Sequence, residues 1–230
     1  MIDLFEKSVF FGVLISIASY ELGAWLKKKF KLGILNPLLV SIIITIAVLV
    51  VCNISYDVYY EGARYISYLL TPATVCLAIP LYEQFELLKG NWKAIFAGIF
   101  AGVMSSLGSI LGLAALFGFS HEEYTTFLPK SITTAIGMGV SEELGGYVSI
   151  TIASIILTGV LGNIIAEGVF EIFRINEPIA KGIAAGTASH AIGTAKAMEI
   201  GEVEGAMSSL SIVVSGLLTV VGASVFAQFM

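Results

Sequence analysis

Five long apolar stretches constrain this sequence more than any other feature. They are Val9–Leu26, Ile34–Ile54, Ala94–Phe119, Tyr147–Ile165 and Ala206–Met230. A helix needs about 20 apolar residues to cross roughly 30 Å of hydrocarbon, so each stretch suits a membrane span. Only 13% of the 230 residues are charged, against about 25% in soluble domains. We therefore predict an all-α, polytopic protein of the plasma membrane, with the lipid bilayer as its surroundings.

The remaining composition excludes several function classes. A net charge of -5 with only 12 Lys and Arg residues argues against a nucleic-acid partner, which needs a concentrated basic surface. The two cysteines, Cys52 and Cys76, have no metal-ligand or disulfide spacing. The sequence has no nucleophile, zinc-protease or phosphate-loop motif. We expect no enzyme activity, no metal and no cofactor.

Three further apolar stretches are interrupted by proline, glycine or polar residues. They are Tyr65–Leu81, Phe127–Val140 and Ile179–Met198. Proline and glycine weaken a helix, and backbone groups freed inside a bilayer must line a cavity or pack against protein. The interruptions therefore indicate where the polar chemistry of the protein lies.

Basic loops give a predicted topology, because cytoplasmic loops are enriched in Lys and Arg. We predict about seven crossings plus one re-entrant element at Phe127–Val140, although a spanning Phe127–Val140 is an open alternative. The residues placed on the cytoplasmic side are Lys27, Lys28, Lys29, Lys31, Lys89, Lys93, Arg174 and Lys181. The acidic residues placed outside are Asp57, Glu61, Glu122, Glu123, Glu202 and Glu204.

A shift of 113 residues reveals a weak internal repeat. It places Pro72–Pro80 over Ala185–Gly193 and brings two pairs of apolar stretches nearly into register. In the predicted topology the two copies cross in opposite directions, as the inverted repeats of secondary transporters do. We predict one membrane domain, residues 1–230, with repeat halves 1–118 and 119–230.

The strongest candidate site surrounds His190, in the sequence GTASHAIGTAK at positions 186–196. An ionisable residue in a membrane segment is costly and is by default a functional hypothesis, although a histidine satisfied by a neighbouring helix is the simpler alternative. Imidazole can bind a carboxylate or take up a proton near neutral pH. We predict substrate binding by Thr187, Ser189, His190 and Thr194, with His190 also coupling transport to protons.

A second candidate site follows Pro129. Lys130 can attract a carboxylate, and the hydroxyl groups beside it can bind one; a solvated lysine in an interfacial loop is the alternative. We predict that Lys130, Ser131, Thr133 and Thr134 bind substrate. Asn36 and Thr74 are weaker candidates, since Asn36 can simply cap its helix.

Four segments resemble the LrgB/CidB family of bacterial membrane proteins, and the similarity covers nearly the whole chain. They are NPLLVSIIITI (36–46), LLTPATVCLAIPLYEQ (69–84), PKSITTAIGMGVSEELGG (129–146) and PIAKGIAAGTASHAIGTAKAMEIGEVEGAMSSL (178–210). The resemblance implies an antiholin-like regulator of murein hydrolase export and cell lysis, acting with a small LrgA/CidA-type membrane protein. Plastid relatives instead exchange glycolate and glycerate, and some bacterial pairs are linked to pyruvate uptake.

The residues and the resemblance together give two hypotheses. The leading one is a transporter, or transport subunit, for a small monocarboxylate such as glycolate, glycerate or pyruvate, bound between interrupted helices. The alternative is a holin/antiholin-like regulator of murein hydrolase export that transports nothing itself. The oligomeric state is open, with a homodimer as one alternative.

Overall fold

The computed structural model describes residues 10–30 and 35–230, except the side chains of Leu70 and Thr74. Helices make up 86% of it, and the described residues form no strand. In chain order the helices are α1 (Phe11–Phe30), α2 (Pro37–Val51), α3 (Tyr56–Ser67), α4 (Leu70–Cys76), α5 (Ala78–Glu83), α6 (Phe85–Phe117), α7 (His121–Phe127), α8 (Thr134–Glu143), α9 (Val148–Ile172), α10 (Pro178–Ile200) and α11 (Glu202–Phe226). A short 3₁₀ turn, Ala227–Phe229, follows.

Four segments of the described chain are long and apolar enough to cross a membrane. They are Tyr56–Glu83, Phe85–Phe117, Val148–Ile172 and Glu202–Phe229. The all-helical, multi-pass membrane architecture is thereby confirmed. The predicted count of seven crossings is not confirmed.

Local sequence signals set the helix ends. Asn36 accepts hydrogen bonds from the backbone N–H groups of Leu38 and Leu39 and so caps α2, which begins at a proline. Ser120 and Glu123 form a reciprocal capping box at the start of α7. Gly118 adopts a left-handed conformation (φ 67°) and ends α6.

The chain divides into two compact units, residues 1–76 and residues 77–230. In the first unit, α1 packs against α2 and α3. The second unit contains α5 to α11, and its core is built on one face of α6. The buried side chains on that face recur every three to four residues, at Ile95, Ile99, Val103, Leu107, Ile110 and Ala114.

Residues 121–146 form a helical hairpin, here called the first hairpin. It enters at α7, where the Tyr124 hydroxyl donates to the carbonyl of Phe226 at the end of α11 (3.0 Å). It leaves beside its own start, because the backbone N–H of Tyr147 donates to Thr126 Oγ1 (2.7 Å). The segment therefore enters and leaves at the same end of the unit, as predicted for a re-entrant Phe127–Val140.

Helix α10 is also a hairpin, here called the second hairpin (residues 178–200). Its backbone leaves helical geometry at Ser189 (φ -132°, ψ 17°) and His190 (φ 43°, ψ -136°). Beyond this break, a methyl group placed on Gly193 would overlap the carbonyl of Ala185. Residues eight apart lie about 12 Å apart along a straight helix. The chain therefore reverses direction at residues 189–190.

Contacts with α11 establish the directions of the two halves. Gly182 and Gly186, in the first half (residues 178–188), lie against Glu204 and Ser208. The constant separation of 22 residues shows that this half runs parallel to α11. The second half (residues 191–200) runs antiparallel to α11, because Thr194 contacts Ser208 while Met198 contacts Gly205.

Contacts with α9 agree with this reversal. The Asn163 side-chain amide donates to the carbonyl of Ile192 (3.0 Å), and Lys196 forms an ion pair with Glu167 (2.5 Å). Both pairs are separated by 29 residues, so the second half runs parallel to α9. The first half joins α9 through a short turn after Ile172 and runs back along it.

The second hairpin corrects part of the predicted topology. Ile179–Met198 has the length of a crossing, but it turns back at mid-depth because His190 takes a positive φ that no helix allows. Glu202 and Glu204 consequently lie at the same end as the start of α10, since Glu204 packs against Gly182. Their predicted location at the end opposite Lys181 is wrong.

The interruption between α4 and α5 aligns with the interruption of α10 in the predicted repeat. Leu77 separates the two helices, and an offset of 113 residues places it over His190. Both interrupted segments thus break at equivalent positions of the proposed alignment. The repeat halves 1–118 and 119–230 stay a prediction, because the compact units are divided at a different point, residue 76.

Candidate functional site

A cavity of about 950 Å³ lies within the second unit, between α6, α9 and the first half of α10. Both hairpins contribute to its wall. The polar residues that line it are Asn91, Ser105, Ser106, Ser109, Lys130, Ser131, Thr158, Glu177, Thr187 and Ser189. The structure therefore brings together four predicted site residues from sequence positions almost 60 apart: Lys130, Ser131, Thr187 and Ser189.

The cavity reaches the middle of the helical bundle. Asn91 and Glu177 lie at its outer end, near the starts of α6 and α10. Lys130 and Ser109 lie at the inner end; Ser131 is hydrogen-bonded there to Ser106 of α6 (3.1 Å). Ser106 is about 16 Å from the end of α6, and Ser189 is about 17 Å from the start of α10, at about 1.5 Å per residue. These depths correspond to the centre of a bilayer core of roughly 30 Å.

Lys130 places a cation at the inner end of the cavity. Its ammonium group donates to Ser131 Oγ (2.9 Å). Within residues 10–30 and 35–230, no carboxylate lies within 4.0 Å of the Lys130 Nζ. An ammonium group has three N–H donors, so two remain for a ligand. A partly buried cation without a counter-ion is unfavourable, and an anion in the cavity would relieve this cost.

Thr187 and Ser189 contribute hydroxyl-bearing residues from α10 to the cavity lining. Thr187 is only 5% exposed, and its Oγ1 is a buried oxygen without a hydrogen-bond partner in the described chain. Leaving such a group unpaired costs about 1–3 kcal/mol. A buried hydroxyl oxygen without a partner and a cation without a counter-ion thus belong to residues of one cavity lining, a combination that suits a small polar anion.

His190 and Thr194 are buried beside the cavity but do not line it. The His190 Nε2–H donates to the carbonyl of Ile155 on α9 (3.0 Å). Thr194 Oγ1 donates to the carbonyl of His190 (3.0 Å) and is hydrogen-bonded to Ser208 Oγ (2.7 Å). These contacts hold the tip of the second hairpin against α9 and α11, so both residues position the tip in this structure.

The other predicted site residues lie elsewhere. Thr133 is the N-cap residue of α8 and Thr134 begins that helix, and neither lines the cavity. Asn36 caps α2 in the first unit. Thr74 belongs to α4 of that unit, and its side chain lies outside the described part of the structure.

Three cavity residues on α6 were not predicted from the sequence. Ser105, Ser106 and Ser109 line one wall, but serine is common at helix contacts in membranes. The available signal was their spacing: positions 105 and 109 are one turn apart in an otherwise apolar helix. Three glycines in the lining, Gly98, Gly102 and Gly162, were likewise not assigned to the site.

Comparison with known proteins places this arrangement in a family. The model of the LrgB-like family matches residues 16–229. The chain belongs to the LrgB-like family. Relatives named antiholin-like protein LrgB, from Bacillus mycoides (strain KBAB4), Bacillus cereus (strain B4264) and Bacillus anthracis (strain CDC 684 / NRRL 3495), are each 37% identical over 221 residues, covering 96% of both chains. No solved structure matches the chain significantly.

Membership of the LrgB-like family confirms the resemblance inferred from the sequence. The family is not an enzyme family, and its membership together with the apolar helices identifies this LrgB-like chain as a multi-pass membrane protein. In the described ranges, no three His, Cys, Asp or Glu side chains are grouped as metal ligands.

Proposed function

We propose that this LrgB-like protein transports a small monocarboxylate, such as glycolate, glycerate or pyruvate, or forms the transport subunit of a larger assembly. The observation that supports this proposal most strongly is that Lys130 and Thr187, whose hydroxyl is unsatisfied in the described chain, line the same mid-depth cavity. Secondary transporters bind their substrates near the bilayer midplane between discontinuous helices.

The substrate carboxylate would bind at the inner end of the cavity. It would accept hydrogen bonds from the two free N–H groups of Lys130, while the third N–H group still donates to the Ser131 hydroxyl. A second oxygen of the substrate would hydrogen-bond Thr187 or Ser189. The cavity volume of about 950 Å³ exceeds that of such an acid, so its outer part serves as a water-filled access path.

A single positive charge favours a monocarboxylate over a dicarboxylate. Among the described residues that line the cavity, Lys130 is the one Lys or Arg, so a second carboxylate would have no cation to pair with. Burying a carboxylate without a partner is unfavourable. Transport further requires a second state, in which the inner end opens toward the first hairpin.

Uptake into proteoliposomes tests the proposal. Purified protein should accumulate radiolabelled pyruvate or glycolate with saturation, and Lys130→Gln should reduce the initial rate at least tenfold by removing the cation. Lys89→Gln is the matched control, because Lys89 is an exposed lysine of α6. Saturable uptake that Lys130→Gln leaves unchanged would refute this site.

A second candidate function follows from the relatives, which are named antiholin-like. In this reading the chain regulates murein hydrolase export and lysis through helix contacts and transports nothing. A deletion strain complemented with Lys130→Gln distinguishes the two. If the variant transports nothing but restores control of lysis, the regulator reading is favoured. If transport and control of lysis are both lost, transport is favoured as the underlying activity.

The partner expectations belong to the same proposal. A small LrgA/CidA-type membrane protein would assemble with this chain, and a homodimer is the alternative assembly. Affinity purification from membranes that contain both proteins, followed by mass measurement of the intact complex, would identify which assembly forms.

A further inference from the structure

The tip of the second hairpin rests on two glycines of neighbouring helices. Thr187 lies against Gly102 of α6, where a methyl group on the glycine would come within 2.7 Å of Thr187 Cγ2. Ser189 lies against Gly162 of α9, where a methyl group would overlap the Ser189 hydroxyl oxygen. All four residues line the cavity. The two hydroxyl-bearing residues therefore hold their positions because these glycines have no side chains.

Other glycines of α6 do not share this property. A methyl group on Gly98, which lines the same cavity, would lie 3.5 Å from Ile183, an ordinary van der Waals distance. Gly108 and Gly112 have nothing within 4 Å of such a methyl group. Among the three glycines that line the cavity, the steric demand is thus specific to Gly102 and Gly162, which contact Thr187 and Ser189.

The hydroxyl groups held there have hydrogen-bonding capacity that the described chain leaves unused. Thr187 Oγ1 is unsatisfied, and no hydrogen bond is formed by the Ser189 hydroxyl within the described chain. When a substrate forms hydrogen bonds with buried polar groups of a site, an analogue without the matching group binds more weakly. Binding of the analogue leaves the buried groups of the site unpaired.

We propose that Gly102 and Gly162 are specificity-determining residues of the cavity. They seat Thr187 and Ser189 so that the site prefers a carboxylate carrying a second polar group to one without it. This inference rests on the proposed function, since it assumes that a carboxylate binds at Lys130. Neither glycine touches the charged end of the ligand in this arrangement.

Acetate and glycolate test the inference because they differ by one hydroxyl group. Their dissociation constants can be measured from ligand-dependent thermal stabilisation of the purified protein. Wild-type protein should bind glycolate more tightly than acetate. Gly102→Ala and Gly162→Ala should each reduce the glycolate preference roughly fivefold to tenfold, the worth of about one hydrogen bond. Gly108→Ala and Gly112→Ala, which lie outside the cavity lining, should leave it unchanged.

A double variant keeps the test independent of folding defects. In Gly162→Ala/Ser189→Gly the clashing side chain is gone, so the added methyl group displaces nothing. Its glycolate preference should equal that of Ser189→Gly alone. A further reduction in the double variant would show that Gly162 acts through another contact and would overturn its assignment.

The possible outcomes separate this inference from the proposed function. Wild-type protein that binds neither acid contradicts the proposed function and the inference with it. If wild-type protein binds both acids equally, the inference alone is overturned. The same holds if the glycine variants weaken the binding of glycolate and of acetate by the same factor. A preference that falls in the two glycine variants and persists in the two controls supports it.

Discussion

Lys130 illustrates a conflict between stability and function at the scale of one residue. Its ammonium group is partly buried, and within the described chain the Ser131 hydroxyl is its one hydrogen-bond partner. Replacing an uncompensated buried charge by an apolar side chain of similar volume is often stabilising. A residue retained at such a cost is typical of a binding site.

We therefore expect opposite effects of Lys130→Met on stability and on binding. The ligand-free variant should unfold at the same temperature as wild type or a few degrees higher, corresponding to about 1 kcal/mol. Stabilisation by added monocarboxylate should disappear. Thermal unfolding with and without pyruvate measures both effects. A strongly destabilised Lys130→Met protein would mean that the lysine has a structural role.

Two threonines of the second hairpin give a matched comparison. Thr187→Val removes a hydroxyl that has no hydrogen-bond partner among the described residues, so the ligand-free protein should gain about 1 kcal/mol of unfolding free energy. Thr194→Val removes a hydroxyl bonded to the His190 carbonyl and to Ser208, which should cost about 1–3 kcal/mol. Denaturation in mild detergent measures the difference, and equal effects would contradict the assigned hydrogen bonds.

The reversal at residues 189–190 defines the second hairpin as an element. His190 has φ 43° and ψ -136°, a region that glycine occupies freely and that costs other residues about 1–3 kcal/mol. Its side chain offsets this cost by donating to Ile155. The helix break is therefore held from outside, by α9, and not by its own local sequence.

This balance predicts an order of stability among His190 variants. His190→Ala loses the bond to Ile155 and keeps the strained backbone, whereas His190→Gly loses the bond but removes the strain. The glycine variant should be more stable than the alanine variant by about 1–2 kcal/mol. In a continuous helix, alanine would instead be favoured by about 1 kcal/mol, so thermal unfolding of the pair tests the reversal. A role of His190 in proton coupling stays a prediction.

The positions of the two breaks could be predicted from the sequence, but the direction of the chain after them could not. Proline, lysine and hydroxyl residues at 129–134 and glycines around His190 indicated interrupted helices with polar surroundings. Length and hydropathy cannot distinguish a crossing from a hairpin of the same length, and Ile179–Met198 fits both. The reversal depends on tertiary contacts such as Gly186 against Ser208.

The same distinction applies to the candidate site. Lys130 and Thr187 could be selected because charged and hydroxyl groups are rare and costly in apolar segments. Gly102 and Gly162 could not be distinguished from other glycines by sequence, since glycine is also frequent at ordinary helix contacts in membranes. Only the positions of Thr187 and Ser189 in space distinguish these glycines from Gly98 and Gly112.

For the whole molecule, the second hairpin makes a specific topological prediction. Exposed cysteines at Arg174→Cys and Glu202→Cys should react with an impermeant maleimide from the same side of the membrane, because the intervening hairpin does not cross. Glu122→Cys should react from the opposite side, since one crossing helix, α9, separates it from Arg174. These variants require Cys52 and Cys76 to be replaced first.

Intact cells and inverted vesicles provide the two sides for this labelling experiment. If residues 178–200 crossed the membrane, Glu202→Cys would share the side of Glu122→Cys. The basic residues Lys89, Lys93, Arg174 and Lys181 predict that the shared side of Arg174 and Glu202 is cytoplasmic. Labelling therefore tests the hairpin and the orientation of the protein together.

Both hairpins contribute residues to one cavity, and we propose that a carboxylate binds there. Ala188 lies between Thr187 and Ser189, is exposed and lines this cavity. In protein without Cys52 and Cys76, a cysteine introduced as Ala188→Cys can be alkylated by bromoacetate, a reactive monocarboxylate, or by its neutral analogue bromoacetamide. The ratio of the two rates isolates the effect of the carboxylate, because the same thiolate attacks both reagents and displaces bromide from each.

We predict that the ratio of the bromoacetate rate to the bromoacetamide rate is at least tenfold higher at Ala188→Cys than at Glu122→Cys. Glu122 is an exposed position outside the cavity. Adding Lys130→Gln should abolish this preference, whereas Lys89→Gln should preserve it. A rate ratio at Ala188→Cys that matches Glu122→Cys, or that does not respond to Lys130→Gln, would contradict the claim that Lys130 and the second hairpin form a common carboxylate site.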